Sequence, residues 1–129
     1  MGLGRTRSVG LRGVEGFLVE VESDVASGLP AFTVSGRADA ACAQAPDRVR
    51  AAASNSRHPV PQRRITVNLS PASVLKVGSG FDLAIVVATL DHLHHERAGE
   101  KQHRSENEPP ADRGRQLSEK AQICQTNDQ

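Results

Sequence analysis

The stretch from residue 63 to residue 91 constrains the fold more than any other part of the chain. It opens as a strand, because Ile65, Val67 and Leu69 alternate with polar residues and so place apolar side chains on one face. A loop rich in proline and glycine follows, and from about Gly80 the residues are almost all apolar. The pattern predicts a strand, a loop and a helix at the core of one domain.

The start of that helix carries a capping signal. Ser79 is placed to cap the helix, and Asp82 is placed to reach back three residues and to favour the positive end of the helix dipole. The helix has almost no polar face, so we expect it to be buried within a domain. The apolar run is too short, and too soon followed by charged residues, to span a bilayer.

The chain before residue 63 reads as three strands and one helix. Alternation and turn residues predict strands at residues 6–12, 17–22 and 31–35, the first two joined as a hairpin. Alanine and arginine favour a helix at residues 39–54, but Pro46 predicts a broken first turn, with the stable helix beginning near the proline. The predicted class is α/β (α+β), a mixed sheet with helices packed on it.

Composition changes sharply at about residue 92. Beyond it, large aliphatic residues are sparse, and His, Glu, Gln, Arg and Pro dominate. Such a segment cannot bury enough apolar surface to offset the entropy of ordering it. We therefore divide the chain into a domain at residues 1–91 and a disordered or weakly helical tail at residues 92–129.

Charge, cysteine content and motifs exclude several classes of function. The formal net charge of +1 gives no bulk attraction to nucleic acid or to a membrane. Two widely spaced cysteines and the absence of an apolar secretory segment predict free thiols in the cytoplasm. The printed sequence contains no Gly-Lys pair, so it has no phosphate-binding loop of the kind that holds ATP.

Several motifs together resemble one family. They are G-V-E-G followed by V-E-V-E, then S-G-L-P, then R-I-T-V-N-L-S-P-A followed by K-V-G-S-G-F-D-L. Over about residues 4–91 the chain is similar to the N-terminal domain of magnesium-chelatase-like AAA+ ATPases of the YifB/ComM type. The resemblance implies a Lon-protease-like fold, incomplete here, and a downstream ATPase module that binds ATP and magnesium. It also implies hexameric motors that process DNA by branch migration during natural transformation.

The resemblance stops after Asp91. We expect residues 92–129 to be a frame-shifted or otherwise aberrant tail on a truncated protein; the alternative is a natural short paralogue with a disordered tail. An incomplete domain would leave an open sheet edge and exposed apolar surface, which predicts low solubility. The motif before the first helix also departs from the family, since Gly36-Arg37-Ala38-Asp39 stands where the family has G-L-P-D.

Basic residues in the middle of the chain are the candidate contacts with a partner or a phosphate. Arg63 and Arg64 precede the fourth strand, and Lys76 lies in the loop after it. Acidic residues nearby and the scarcity of aromatic residues favour a solvated or subunit-facing surface over contact with DNA.

The two remaining candidate sites have simpler interpretations. Lon proteases carry a nucleophilic serine in the turn before the buried helix, but the alignment places Gly80 there and supplies no lysine partner. Ser79 is therefore interpreted as a structural cap. The spacing of His92, His94 and His95 does not bring the three rings to one helix face, so no metal site is predicted.

The predicted function is that of a non-catalytic domain without Walker motifs or a Ser-Lys dyad, from a family whose full-length members are ATPases. No cofactor is expected in this segment. The expected partners are other subunits of an AAA+ ring and, through the parent family, DNA, with no membrane. The alternatives are a degenerate Lon-like peptidase domain and a stand-alone DNA-binding module.

Overall fold

The structure is a computed structural model that describes residues 2–107. Contacts divide the chain into one unit at Met1–Ala98 and another at Gly99–Gln129. The elements, in chain order, are β1 (Gly4–Arg12), β2 (Glu15–Ala26), β3 (Ala31–Ser35), α1 (Ala40–Ala43), α2 (Ala45–Asn55), β4 (Arg64–Ser70) and α3 (Asp82–Asn107). In the second unit the described residues 99–107 are helical.

The strands form one mixed sheet in the order β1-β2-β4-β3. β1 pairs antiparallel with β2, β2 pairs antiparallel with β4, and β3 pairs parallel with β4. The parallel connection from β3 to β4 runs through α1 and α2. The predicted α/β (α+β) class is confirmed, and the Lon-protease-like assignment within that class stays a prediction.

The predicted hairpin is formed by β1 and β2. Arg12 pairs with Glu15, so Gly13 and Val14 make a two-residue turn. Gly13 has a φ of 59° and Val14 has no positive φ, which is the pattern of a type II′ turn. Both strands extend further than the alternation predicts, because β1 and β2 pair continuously from Arg12 to Gly4 and β2 also pairs with β4 as far as Ala26.

The core lies between one face of the sheet and the helices. Its strand residues come from alternating positions of β2 and β4, as predicted: Val19, Val21, Val25, Ile65, Val67 and Leu69. From α3, Ile85 and Ala88 are fully buried in the same cluster. One polar pair lies within it, since the hydroxyls of Ser23 and Thr89 are 3.0 Å apart and Thr89 also donates to the carbonyl of Ile85. The pair is therefore satisfied inside the core.

The expectation that the helix is buried within the domain is confirmed for one side of α3 only. Ala84 and Ile85 are buried, but Leu83 is 74% exposed and Val87 is 43% exposed. The helix packs on a single sheet, so its outer side has no second layer to contact within the described residues. The helix also begins at Asp82, two residues later than predicted.

Two sequence predictions concern the ends of helices. Pro46 lies at the start of α2, and α1 ends just before it, as the proline predicts. At the other boundary, α3 continues through residue 92 to Asn107, so the described part of the predicted tail is helical. Residues 108–129 of that tail lie outside the described residues.

Candidate functional site

Two loops meet at the ends of the parallel strands. Residues 36–39 follow β3, residues 71–80 follow β4, and we call this pair of segments the loop junction. Ala38 and Lys76 form a parallel bridge between them. The backbone N–H of Lys76 donates to Arg37 at 3.0 Å, and the N–H of Asp39 donates to the Lys76 carbonyl at 2.9 Å.

Lys76 lies inside the loop junction and not on the surface. Its side chain is fully buried, and its Nζ donates to the carbonyl of Gly36 at 2.6 Å and to the carbonyl of Pro71. Burial lowers the pKa of the Lys76 ammonium from its ordinary value. The predicted contact of Lys76 with a phosphate or partner is therefore not accessible in this structure.

Gly36 allows the loop junction to close. Its φ is 102°, and a Cβ at this position would lie 2.0 Å from the backbone oxygen of Leu69. Only glycine fits so close to the neighbouring strand while it also adopts this backbone conformation. The resulting turn brings the Gly36 carbonyl to the Lys76 ammonium.

Asp39 ties the loop junction to the first helix. Its Oδ1 accepts the backbone N–H of Cys42 at 2.7 Å, which makes Asp39 the N-cap of α1. The N–H of Gly78 donates to both carboxylate oxygens at 3.2 Å. Burial raises the pKa of the Cys42 thiol, and the negative charges of Asp39 and Asp82 raise it further.

Asp82 contacts an arginine instead of the residue that precedes the helix. Its two oxygens accept from Arg48, Oδ2 from Nε at 2.6 Å and Oδ1 from Nη2 at 3.0 Å. Ser79 is exposed, and only its carbonyl is bound to the helix start, by the N–H of Asp82 at 3.2 Å. Among residues 2–107 no hydrogen bond joins the Ser79 hydroxyl to Asp82, so the predicted capping box does not form.

The structure separates Arg63 from Arg64. Arg63 donates to both oxygens of Glu96, at 2.7 Å and 3.0 Å, and to the carbonyl of Val25 at 3.3 Å. The hydrogen bond from Arg63 lowers the pKa of Glu96. Arg64 is exposed on the sheet face opposite the core. Alternation along an extended segment predicts that neighbouring residues face opposite sides, but the sequence does not show that Glu96 is the partner of Arg63.

A groove of about 370 Å³ runs between α2 and α3. The ion pair of Arg48 and Asp82 lies in its wall, and the rest of its lining is mostly apolar: Val49, Ala52, Ala53, Leu83, Val86 and Leu90. Concave apolar surfaces with a few polar groups are the usual form of binding sites. The sequence pointed to Leu83 only as a core residue, since a continuous apolar run does not show which side of a helix meets the sheet.

The described residues do not form a site for a triphosphate or a metal ion, and their helices are not of the membrane-spanning kind. The loop junction holds its one lysine on backbone carbonyls and does not fit a nucleotide phosphate or its magnesium. Within residues 2–107, no group of three or more His, Cys, Asp or Glu side chains could hold a metal ion. No helix in that range has the length and apolar character needed to cross a membrane.

Comparisons with known proteins give one consistent family. The family model for subunit ChlI of Mg-chelatase matches residues 21–106, which include the loop junction and the groove. An uncharacterized protein of Mycobacterium tuberculosis is 47% identical over 90 residues, which are 70% of this chain and 18% of that protein.

Two further relatives have names of their own. The competence protein ComM of Haemophilus influenzae is 42% identical over 78 residues, and the uncharacterized protein YifB of Escherichia coli is 40% identical over 78 residues. In each case the match covers 60% of this chain and 15% of the relative. The chain thus spans less than a fifth of the length of these relatives, and it belongs to the ChlI family of magnesium-chelatase-like proteins, in the ComM and YifB type.

Proposed function

We propose that this chain is a non-catalytic N-terminal fragment of a cytoplasmic magnesium-chelatase-like ATPase, and that its domain serves ATP-driven DNA processing in competence. The observation that carries the proposal is the family match over residues 21–106, together with the similarity to a competence protein. In the parent proteins, ATP and magnesium would bind outside this segment. The ATPase would drive branch migration of DNA.

The chemistry of the loop junction supports a structural role for this segment. A phosphate-binding loop presents a lysine and free backbone N–H groups to the nucleotide. Here the lysine of the loop is buried on the carbonyls of Gly36 and Pro71, and the N–H of Gly78 is bound to Asp39. The groups that would bind a phosphate instead join two loops of the domain.

The groove between α2 and α3 supports an interaction role. It presents Leu83, Val86 and Leu90 along one side of α3, the i, i+3, i+7 spacing with which a helix meets another helix. A neighbouring subunit of an AAA+ ring is the partner that the family resemblance suggests. We therefore assign assembly or substrate handling to this domain, with the groove as the contact.

The contacts of the charged residues favour this function over the two alternatives. Arg48 and Arg63 are paired with Asp82 and Glu96, so their charge is largely neutralised, and this weakens the case for a stand-alone DNA-binding module. A Lon-like peptidase needs a serine activated by a base. The hydroxyl of Ser79 has no hydrogen bond to the Lys76 ammonium among the described residues.

A domain exchange in a relative tests the proposal. The 78-residue matching segment of Haemophilus influenzae ComM is replaced by the corresponding segment of this chain, and natural transformation is measured. We expect the exchange to preserve transformation, and Gly36→Val within it to abolish transformation, because the loop junction cannot close. Gly28→Val is the matched control, since a Cβ at Gly28 meets no atom within 4 Å. Loss of transformation with the unmutated segment in a folded ComM overturns the proposal.

The alternatives are tested on the chain itself. We expect no ATP hydrolysis above a buffer control and no binding of duplex or single-stranded DNA at low salt. DNA binding that weakens with added salt and is lost in Arg64→Gln would establish the DNA-binding alternative instead.

A further inference from the structure

β1 forms one edge of the sheet, and half of its backbone groups point away from β2. A two-residue turn closes on a hydrogen-bonded pair, so Arg12 bonds inward to Glu15. The register from Gly4 to Arg12 is continuous, so inward and outward residues alternate along the whole strand. Arg7, Val9 and Leu11 therefore direct their N–H and C=O groups outward.

Arg5 confirms this alternation and marks where the open edge ends. Its backbone N–H points outward, because it donates to Oδ2 of Asp91 on α3 at 3.2 Å. The first outward N–H of the edge, that of Arg5, is thus already bonded to Asp91. Within residues 2–107 no side chain or backbone group bonds to the outward groups of the other three residues, Arg7, Val9 and Leu11.

The side chains beside this open edge are apolar. Val9 is 61% exposed and Leu11 is 73% exposed, and both lie on the sheet face opposite the core. Leu18, the cross-strand partner of Val9, is 54% exposed on the same face. An edge with free backbone groups and apolar side chains is a template for a further strand.

We propose that the strand added to this edge is β1 of a second copy of the chain, paired antiparallel about a two-fold axis at Val9. This register places Val9 opposite the second copy's Val9, and Arg7 opposite the second copy's Leu11. All three open residues of each copy then exchange backbone hydrogen bonds, about six in all. Four strands from each copy form one continuous sheet.

Charge and hydrogen bonding select this register over its neighbours. With the axis at Val9, each arginine of β1 faces an uncharged residue, since Arg5 meets the turn at Gly13 and Arg12 meets Thr6. An axis at Arg7 would set two guanidinium groups against each other, which is unfavourable. An axis at Ser8 would set Arg5 opposite Leu11, and because Asp91 already binds the outward N–H of Arg5, only Arg7 and Val9 would pair, with about four hydrogen bonds. An axis at Gly10 would set Arg7 opposite the turn and would also give about four. The register at Val9 thus makes the most backbone hydrogen bonds of these and sets no like charges against each other.

The pairing also joins the apolar side chains of the two hairpins. The two Val9 side chains meet at the axis, and Leu18 of each copy lies beside its own Val9, so the four residues form one apolar strip on the open sheet face. A two-fold contact of this kind uses the same surface on both copies and closes at the dimer. It uses the sheet edge and is therefore separate from the helix groove of the proposed function.

Disulfide formation tests the register directly. The variant Val9→Cys is made in a Cys124→Ser background, where the remaining Cys42 is fully buried. A hydrogen-bonded antiparallel pair has its Cα atoms about 5.5 Å apart, which is within disulfide range. We expect mild oxidation to give covalent dimer several-fold faster than with the control Thr33→Cys, which lies on β3 at the opposite edge. Equal rates for the two variants overturn the proposal.

The mass of the full chain in solution tests the contact without a covalent bond. We expect light scattering to give twice 13.8 kDa at submillimolar concentration. Val9→Lys places two ammonium groups at the axis, so we expect it to return the mass to 13.8 kDa with an unchanged circular dichroism spectrum. Leu29→Lys is the control, since Leu29 is 80% exposed outside the hairpin, and it should stay dimeric. A wild-type monomer at every concentration, or dissociation by both substitutions alike, overturns the proposal.

Discussion

One guanidinium group, that of Arg48, joins three helices through Asp82 and one backbone carbonyl. Its Nε and Nη2 atoms bind both oxygens of Asp82, the first residue of α3, at 2.6 Å and 3.0 Å. Its Nη2 also donates to the carbonyl of Ala41 in α1 at 2.7 Å. Because Arg48 lies in the first half of α2, this contact sets the relative position of the three helix ends and one wall of the groove.

We expect Arg48→Lys to lower the thermal midpoint of unfolding although it keeps the charge. A lysine has one nitrogen and cannot make the two-point contact with Asp82 while it also reaches Ala41. The loss should shrink at about 1 M salt, where screening acts over about 3 Å, because the pair is only partly buried. Arg64→Lys is the control at an exposed strand position. Equal midpoints for Arg48→Lys and wild type would contradict a stabilising role for the two-point contact of the guanidinium group with Asp82.

Ser79 and Asp82, the two residues of the predicted capping box, show what a local sequence pattern cannot predict. Spacing alone puts Asp82 three residues after Ser79, and that spacing suits a capping box. The structure places Arg48, 34 residues earlier in the chain, beside the same carboxylate. A charged partner that is distant in sequence competes with a local hydroxyl and gives the stronger bond. Local patterns cannot reveal such a partner, since the fold brings it there.

We expect Gly36→Ala to destabilise the chain by at least about 3 kcal/mol, because it combines a strained backbone with a clash. The added Cβ would lie 2.0 Å from the Leu69 oxygen, which belongs to β4 and cannot move without breaking the sheet. Gly28→Ala separates the two causes. Gly28 also has a positive φ, of 131°, but open space around it, so its loss should be only about 1–2 kcal/mol. Denaturant unfolding of both variants measures the difference, and equal losses would rule out the clash.

We expect Lys76→Met to cost about 2–5 kcal/mol at neutral pH, because it leaves the carbonyls of Gly36 and Pro71 without a donor inside the domain. Val77→Met at the neighbouring position, 62% exposed, should leave stability unchanged. Urea unfolding measures both variants. A stable Lys76→Met with wild-type unfolding would show that the ammonium does not stabilise the loop junction.

The same pair of proteins should differ in pH dependence. Burial lowers the pKa of Lys76 in the folded chain below its unfolded value of about 10.5. Between those two values the unfolded chain binds more protons, so the stability of wild type gains a positive slope with pH. Lys76→Met lacks this contribution, and the stability difference between the two proteins should widen as pH rises toward 10. A difference that stays constant or narrows over this range would contradict the assignment.

The strands were the most predictable part of the fold, for a physical reason. The alternation in β2 and β4 comes from one buried and one exposed face, and the sequence records it residue by residue. The helix α3 has apolar residues on its exposed side as well. Its sequence therefore predicts burial at positions that line a groove in the structure. Lys76 is the converse case, because a charged residue predicts exposure, and only the two carbonyls around it account for its burial.

We expect Cys42 to react with alkylating agents at least about tenfold more slowly in the folded chain than in the unfolded one, since the thiol is buried and its pKa is raised. Asp39→Ala should speed the reaction. It removes the cap of α1, worth about 1 kcal/mol, and also a negative charge that raises the pKa of the thiol. Mass spectrometry of timed iodoacetamide labelling in a Cys124→Ser background measures the rates. A reaction as fast in the folded chain as in urea would contradict the burial of Cys42.

Substitution on the buried side of α3 should lower stability, whereas substitution on its exposed side should lower transformation. Ile85 is fully buried against the sheet, so Ile85→Ala removes core contacts and should cost about 2–5 kcal/mol. Leu83→Lys changes a residue that is 74% exposed and should alter stability by no more than about 0.5 kcal/mol. It does place a charge in the groove, so we expect it to abolish transformation in the ComM exchange while the domain stays folded. Denaturant unfolding and transformation frequency together separate these effects. If Leu83→Lys unfolds the domain, the outer side of α3 is part of the core, and if it folds and still supports transformation, the groove is not the contact surface.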